Sequence, residues 1–307
     1  MARVFVTREL PFPALDRLSA EHEVDIWPGE LPPPPDDLRA HAREADALLT
    51  MVTDRVDEEL LDAAPNLKAI ANLAVGTDNI DAAAAGARNI PVGNTPDVLT
   101  DATADLAFAL ILALARRIVP GAETVRAGEW RTWEPAGDLG VDLAGATLGI
   151  VGRGRIGEAV ARRAAGFDME LVHSSRSSGL RLDELLGRAD VVSLHTPLTP
   201  DTRHLIGAEA LARMKPTALL VNTARGGIVD QDALRAALIE GRISGAALDV
   251  TEPEPLPGDD PLLDAPNLLV VPHLGSATRR TRARMAEMAV ENLLAALDGR
   301  PMPHAVA

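Results

Sequence analysis

The sequence predicts an α/β protein built from two doubly wound parallel-sheet domains, and three observations carry that prediction. Short runs rich in Val, Ile and Leu alternate with alanine-rich segments of helical period along nearly the whole chain. Most of these runs are apolar throughout, which is the pattern of parallel strands covered on both faces. The series also restarts once, near residue 146, and 307 residues are enough for two domains of ordinary size.

The first series offers strands at RVFVT (3–7), EVDIW (23–27), ALLTMVT (47–53), LKAIANL (67–73) and IPVGN (90–94). Between them, PALDRLSAE (13–21), PDDLRAHARE (35–44) and DEELLDAA (57–64) have helical period, and LPPPPDD (31–37) is a surface loop. A long helical stretch over 96–115 closes this series and is expected to bridge to the second. The second series runs through ATLGIVG (146–152), MELVHS (169–174), DVVSLHTP (190–197), ALLVNTA (218–224), GAALDV (245–250) and NLLVVPHL (267–274). A last helix over 281–297 has no strand after it and is expected to pack back on the first domain. The expected domains are therefore 1–97 with 281–307, and 98–280.

Composition narrows the function classes. A formal net charge of −15 opposes non-specific binding to nucleic acid or to an anionic membrane. An anionic small molecule remains a possible ligand where arginines cluster locally. The chain has no cysteine, which excludes disulfides and thiolate zinc sites, and no metal site is expected. The apolar run LAFALILALA (106–115) is too short to span a bilayer and reads as a buried helix. MARVFVTREL has no long apolar stretch of the signal-peptide kind, so a cytoplasmic location is expected.

The strongest motif is GRGRIG (152–157), which follows an apolar strand and opens a helix, as a Rossmann dinucleotide-binding domain requires. Gly152 serves the tight turn, Gly154 the close approach of a pyrophosphate, and Gly157 the contact of helix with strand. Arg153, Arg155 and Ile156 complete the loop, whose helix N-terminus faces phosphate charge. About 20 residues on, an NAD site normally presents a carboxylate to the ribose 2′-hydroxyl. Here LVHSSRSSGL (171–180) presents Ser174, Ser175 and Arg176 instead. Hydroxyls and a guanidinium suit a 2′-phosphate, so NADP(H) is the preferred cofactor and NAD(H) the possible one.

Three strand ends hold the remaining chemistry. Arg225 can grip a carboxylate bidentately and polarise an adjacent carbonyl. His273 can give a proton to the carbonyl oxygen, and Glu254 can hold the imidazole charged and oriented. Taken singly, each also reads as an ordinary surface or half-buried residue.

Resemblance makes the assignment specific. NLAVGTDNID (72–81), GNTPDVLTDATADLA (93–107), GRGRIG, NTARGGIVDQDAL (222–234), LDVTEPEPLP (248–257) and PHLGSATRRTR (272–282) match the D-isomer-specific 2-hydroxyacid dehydrogenases. The chain resembles that family over essentially its whole length, and within it is most similar to glyoxylate/hydroxypyruvate reductases. The resemblance implies a flavodoxin-like first domain beside the Rossmann one. It places the catalytic Arg, Glu and His at Arg225, Glu254 and His273, the family's Arg-to-Glu interval selecting Glu254 over Glu252. It implies that backbone amides at Val75 and Gly76 take the substrate carboxylate, and that Thr103, Thr196, Pro197, Thr223, Ala224, Asp249 and Gly275 line the cofactor. It also implies a homodimer in which Trp133 reaches the partner's substrate pocket; the plainer alternative packs Trp130 and Trp133 against their own core. His195 is expected to serve in packing, His173 to stand beside the 2′-phosphate, and His22, His41, His204 and His304 to lie at the surface. The activity implied is NADPH-dependent reduction of small 2-oxoacids to 2-hydroxyacids. The competing readings are an NAD-linked enzyme for another acid, such as 3-phosphoglycerate, and a non-catalytic nucleotide-sensing protein of the same fold.

Overall fold

The computed structural model describes residues 1–10 and 13–306. It divides into two compact units, residues 1–99 with 278–307 and residues 100–277. Ala307, the last residue of the expected first domain, lies outside the described residues.

In the first unit, β1 (Arg3–Val6), β2 (Glu23–Ile26), β3 (Ala47–Thr50), β4 (Ala69–Asn72) and β5 (Val92–Gly93) form a parallel sheet in the order β2-β1-β3-β4-β5. That order is the flavodoxin-like one. Its helices are α1 (Ala14–Glu21), α2 (Pro35–Glu44), α3 (Glu58–Ala63), α4 (Ala82–Ala87) and, from the far end of the chain, α11 (Arg279–Leu297). Successive side chains of a strand face opposite sides. Val4, Val6 and Leu49 accordingly join Leu18, Met285 and Leu293 on one face, while Phe5, Leu48 and Ile70 join Leu38, Leu60 and Leu61 on the other. Truncating a fully buried residue such as Leu48 to alanine costs about 2–5 kcal/mol. Met285, Ala289 and Leu293 recur every four residues and form the stripe by which α11 packs on α1 and β4. Asp57, Asp81 and Thr278 cap α3, α4 and α11 by accepting from Leu60, Ala84 and Thr281 amides, which fixes where each helix starts.

Three details go beyond the expected picture. The chain after α11 is not bare of strand pairing, because Ala305 bridges Gly93 antiparallel and the Val306 amide donates to Val92 O at 2.7 Å. The two-residue edge strand β5 leaves backbone groups open for this addition. His41 is not a plain surface residue: it stacks on Phe5 with centroids 4.4 Å apart and pairs with Asp25 at 2.8 Å. His22 likewise has a buried Nε2.

In the second unit, β6 (Thr147–Val151), β7 (Glu170–Ser174), β8 (Val191–Leu194), β9 (Leu219–Asn222), β10 (Gly245–Leu248) and β11 (Leu268–Val270) form a parallel sheet in the order β11-β10-β9-β8-β6-β7. The order reverses between β6 and β8, the place where such sheets bind ligands. The chain turns back after β7, so β7 is an edge strand and no further strand lies outside it. Strands β8, β9 and β10 are buried throughout, in keeping with their unbroken apolar sequence. On one face lie α5 (Thr100–Ala115) and α7 (Arg155–Ala165). The other face carries α8 (Leu182–Arg188), α9 (Ala208–Arg213) and α10 (Gln231–Ile239), and α6 (Ile118–Arg126) follows α5. The LAFALILALA run lies within α5, where Ala107, Phe108, Leu110, Ile111 and Ala115 are buried. Among the described residues, no helix is long and apolar enough to cross a membrane.

Candidate active site

Strands β9, β10 and β11 deliver Arg225, Glu254 and His273 from the loops at their carboxyl ends. His273 Nδ1 and Glu254 Oε1 form a short hydrogen bond, with both side chains about one-third exposed. Glu252, the nearby alternative, is turned elsewhere: Arg203 grips its carboxylate with two bonds of 3.0 Å. The Gln231 side-chain amide meets the Glu252 backbone on both sides, at 2.8 Å to its carbonyl and 2.7 Å from its N–H. Neither Gln231 nor Arg203 was distinguishable in the sequence from ordinary surface residues. The RGG stretch did carry a signal. A Cβ on Gly226 would stand 2.0 Å from Thr251 O, so only glycine lets the Arg225 loop pack against the loop leading to Glu254.

The His273 backbone is left-handed, with φ +52°, a conformation costing on the order of 1–3 kcal/mol for a non-glycine residue. Asp249 holds it there. Its carbonyl accepts from the His273 amide at 3.0 Å, and its carboxylate accepts from Leu274 N at 2.5 Å and Gly275 N at 2.9 Å. Burial raises the Asp249 carboxyl above its ordinary value, against the opposing effect of those amides. Thr103 is also buried, and its hydroxyl donates to Gly275 O at 3.1 Å. Thr103, Asp249 and Gly275 thus come together around the His273 loop. Arg225 is half-buried and donates to Ala224 O at 2.8 Å, while Asn222 shapes its loop by donating to Arg225 O at 2.8 Å.

The glycine loop meets three separate demands. Gly152 has φ +93°, and a Cβ there would reach 2.6 Å from Thr196 N. Around Gly154, the residue before α7, the Cβ position opens onto empty space, and this is where a phosphate can approach the backbone. At Gly157 a Cβ would press on Gly152 O at 2.3 Å and on Ile150. Arg153 and Arg155 are exposed beside this space, Ile156 is half-buried, and Thr196 and Pro197 lie just beyond β8. Thr223 Oγ1, in the neighbouring loop ahead of Ala224, is buried with no partner among the described residues. A dinucleotide fits these features. His195 packs as expected: Nε2 pairs with Ser193 Oγ at 2.8 Å, Nδ1 is buried with no partner among the described residues, and burial lowers the ring to about 4.

Beyond β7 the chain makes a tight return. Ser174 bridges Gly179, and Ser175 Oγ bonds both the amide and the carbonyl of Ser178, at 3.2 and 2.9 Å. The serines are therefore turn residues first, and the Ser175 hydroxyl is engaged inside the turn. Arg176 is exposed, and Arg153 lies 3.3 Å from His173 Nδ1 while pairing with Glu158 at 2.7 Å. In the other unit, Val75 and Gly76 stand half-exposed in the loop after β4. Trp130 and Trp133 are 68% and 78% exposed, so neither packs on its own core, and that alternative is overturned.

Residues 108–275 match the family described as D-isomer specific 2-hydroxyacid dehydrogenase, NAD binding domain. A glyoxylate reductase of Korarchaeum cryptofilum is 50% identical over 99% of this chain and 95% of its own. The chain belongs to the D-isomer-specific 2-hydroxyacid dehydrogenases. This NAD(P)-dependent dehydrogenase also shares its fold with solved relatives. A protein of Thermus thermophilus is 52% identical, with a TM-score of 0.95 over 99% of this chain and 100% of the other. The NADPH-dependent glyoxylate/hydroxypyruvate reductase of Sinorhizobium meliloti, solved with NADP and malonate, is 32% identical, with a TM-score of 0.86 over 100% and 97%.

Proposed function

We propose that this dehydrogenase reduces glyoxylate and hydroxypyruvate to glycolate and D-glycerate with NADPH. The observation that carries the reaction is the His273–Glu254 pair, with the loop of Glu254 adjoining that of Arg225. Arg225 holds the substrate carboxylate and polarises the neighbouring carbonyl, and the amides of Val75 and Gly76 bind the same carboxylate. Because Glu254 occupies Nδ1, His273 has Nε2 to present, and it gives that proton to the carbonyl oxygen. A bound nicotinamide supplies the hydride. Gly152, Arg153, Gly154, Arg155, Ile156 and Gly157 would hold the dinucleotide, with Thr103, Ser174, Thr196, Pro197, Thr223, Ala224, Asp249 and Gly275 bordering it. The preference for NADPH rests on Arg176 and Arg153 beside a strand end that has no carboxylate. Ser175 contributes by shaping the turn.

The exposed apolar run of Ile118, Val119, Val125, Trp130, Trp133, Leu139 and Val141 supports a homodimer in which Trp133 borders the partner's substrate pocket. The test of the activity is NADPH consumption across a panel of 2-oxoacids, run in parallel with NADH. Turnover of glyoxylate and hydroxypyruvate with NADPH is the expected result; no turnover of any 2-oxoacid defeats the reading. For the assembly, light scattering should give a dimer, and Trp133→Ala should favour bulkier 2-oxoacids over glyoxylate. A fully active monomer rules that role out.

A further inference from the structure

The stretch 72–81 enters the proposed function only through the amides of Val75 and Gly76, and its asparagines have no part in it. In the structure, three consecutive carbonyls of this turn are held from behind. Ala74 O accepts from Thr95 N at 2.8 Å, Val75 O from Asn94 Nδ2 at 2.7 Å, and Gly76 O from Asn72 Nδ2 at 2.9 Å. In a trans peptide the carbonyl and the following N–H point in opposite directions. The amides of Val75, Gly76 and Thr77 therefore face away from those donors, and none of them has an acceptor among the described residues. Successive outward amides of this kind form an anion-binding concavity.

The donors are themselves held. Asn72 is fully buried at the end of β4, gives its second hydrogen to Asn79 Oδ1 at 3.0 Å, and accepts from Thr50 Oγ1 at 3.1 Å. Asn79 in turn donates to Met51 O at 3.0 Å and Asp54 O at 2.9 Å. The Asn94 backbone is tied on both sides, donating to His304 O and accepting from Asn292 Nδ2, each at 3.0 Å.

We propose that Asn72 and Asn94 are positioning residues that aim the amides of residues 75–77 at the substrate carboxylate, with Asn79 as the strut behind Asn72. An untethered peptide can flip, which replaces an N–H with a carbonyl oxygen that repels the anion. The tethers remove that alternative before substrate arrives, so their loss appears in oxoacid binding and not in proton or hydride transfer. The inference rests on the proposed role of the Gly76 amide, and the experiment tests the two separately.

Asn94→Ala removes one tether and keeps both backbone bonds of residue 94. It should raise the oxoacid KM about fivefold to tenfold, the value of one hydrogen bond, and leave kcat and the NADPH KM within about twofold. Asn94→Asp sets an oxygen against Val75 O and should raise KM further. Asn72→Asp should act in the same direction, but the site is buried, so the partly exposed Asn94 carries the test. A purely structural role would lower the melting temperature and the active fraction with KM unchanged. Separately, protein labelled with 15N-glycine is titrated with oxamate in the presence of NADPH, the Gly76 signal being assigned by its loss in Gly76→Ala. A Gly76 amide that does not move overturns the carboxylate role and the inference with it. A Gly76 amide that moves, with oxoacid KM unchanged in both Asn94 variants, overturns the positioning role alone.

Discussion

Asn72 and Asn222 stand at corresponding places in the two units. Each is the last residue of an interior strand, β4 and β9, and each is fully buried. Each also donates into the loop that follows, Asn72 to Gly76 O at 2.9 Å and Asn222 to Arg225 O at 2.8 Å. What the two loops present is different. After Asn222 the chain reads Thr-Ala-Arg and offers a guanidinium. After Asn72 it reads Leu-Ala-Val-Gly-Thr, has no charged side chain, and offers a run of backbone N–H groups. On the proposed function, one doubly wound plan yields a unit whose chemistry lies in side chains and a unit whose chemistry lies in peptide orientation. The two should respond to mutation differently: the side-chain unit in kcat and in cofactor choice, the peptide unit in oxoacid KM.

The largest expected effect tests the side-chain half of that contrast. His273→Asn removes the proposed proton donor and should lower kcat by about 10²–10⁴-fold while NADPH binding stays near that of the parent enzyme. A variant that loses only oxoacid affinity would erase the distinction between the units. Glu254→Gln sharpens it: the amide keeps the side-chain shape but removes the carboxylate that orients the imidazole. It should lower kcat by more than it raises the oxoacid KM, and a loss confined to KM would discard the pairing.

His195 asks whether every polar strand end in the second unit is reactive. Its ring is lowered by burial from 6.5 to about 4, so between those values the unfolded chain holds a proton that the folded one does not. Its contribution to stability is complete above pH 6.5 and is lost as pH falls toward 4, by on the order of 3 kcal/mol. His195→Gln should flatten that part of the stability–pH curve while leaving kcat near that of the parent. Denaturant titrations at several pH values measure the first, and a slope unchanged in the variant shows that the acid loss arises elsewhere. The smallest effect concerns cofactor choice. Ser175→Asp combined with Arg176→Ala should swing preference toward NADH by about tenfold or more. A parent enzyme that already favours NADH removes the basis of the assignment.

Much of this molecule follows from local sequence. Unbroken apolar runs separated by helices point to buried parallel strands, and GRGRIG carries its glycine spacing within six residues, although what crowds Gly152 is Thr196. Strand-end position and the family resemblance likewise brought out Arg225, Glu254 and His273, because side-chain chemistry is written in residue identity. Other features depend on distant contacts. Glu252 and Glu254 are two residues apart, and their division of labour comes from Arg203 and Gln231 engaging one while His273 engages the other. The hydroxyl of Ser175 reads as a phosphate donor in sequence and is spent on Ser178 in space. The direction of a peptide N–H has no letter of its own. It is decided by what holds the carbonyl behind it, and for the 75–77 turn those partners come from residues 72, 94 and 95. The tertiary structure alone sets it, because only folding brings those donors within hydrogen-bond reach.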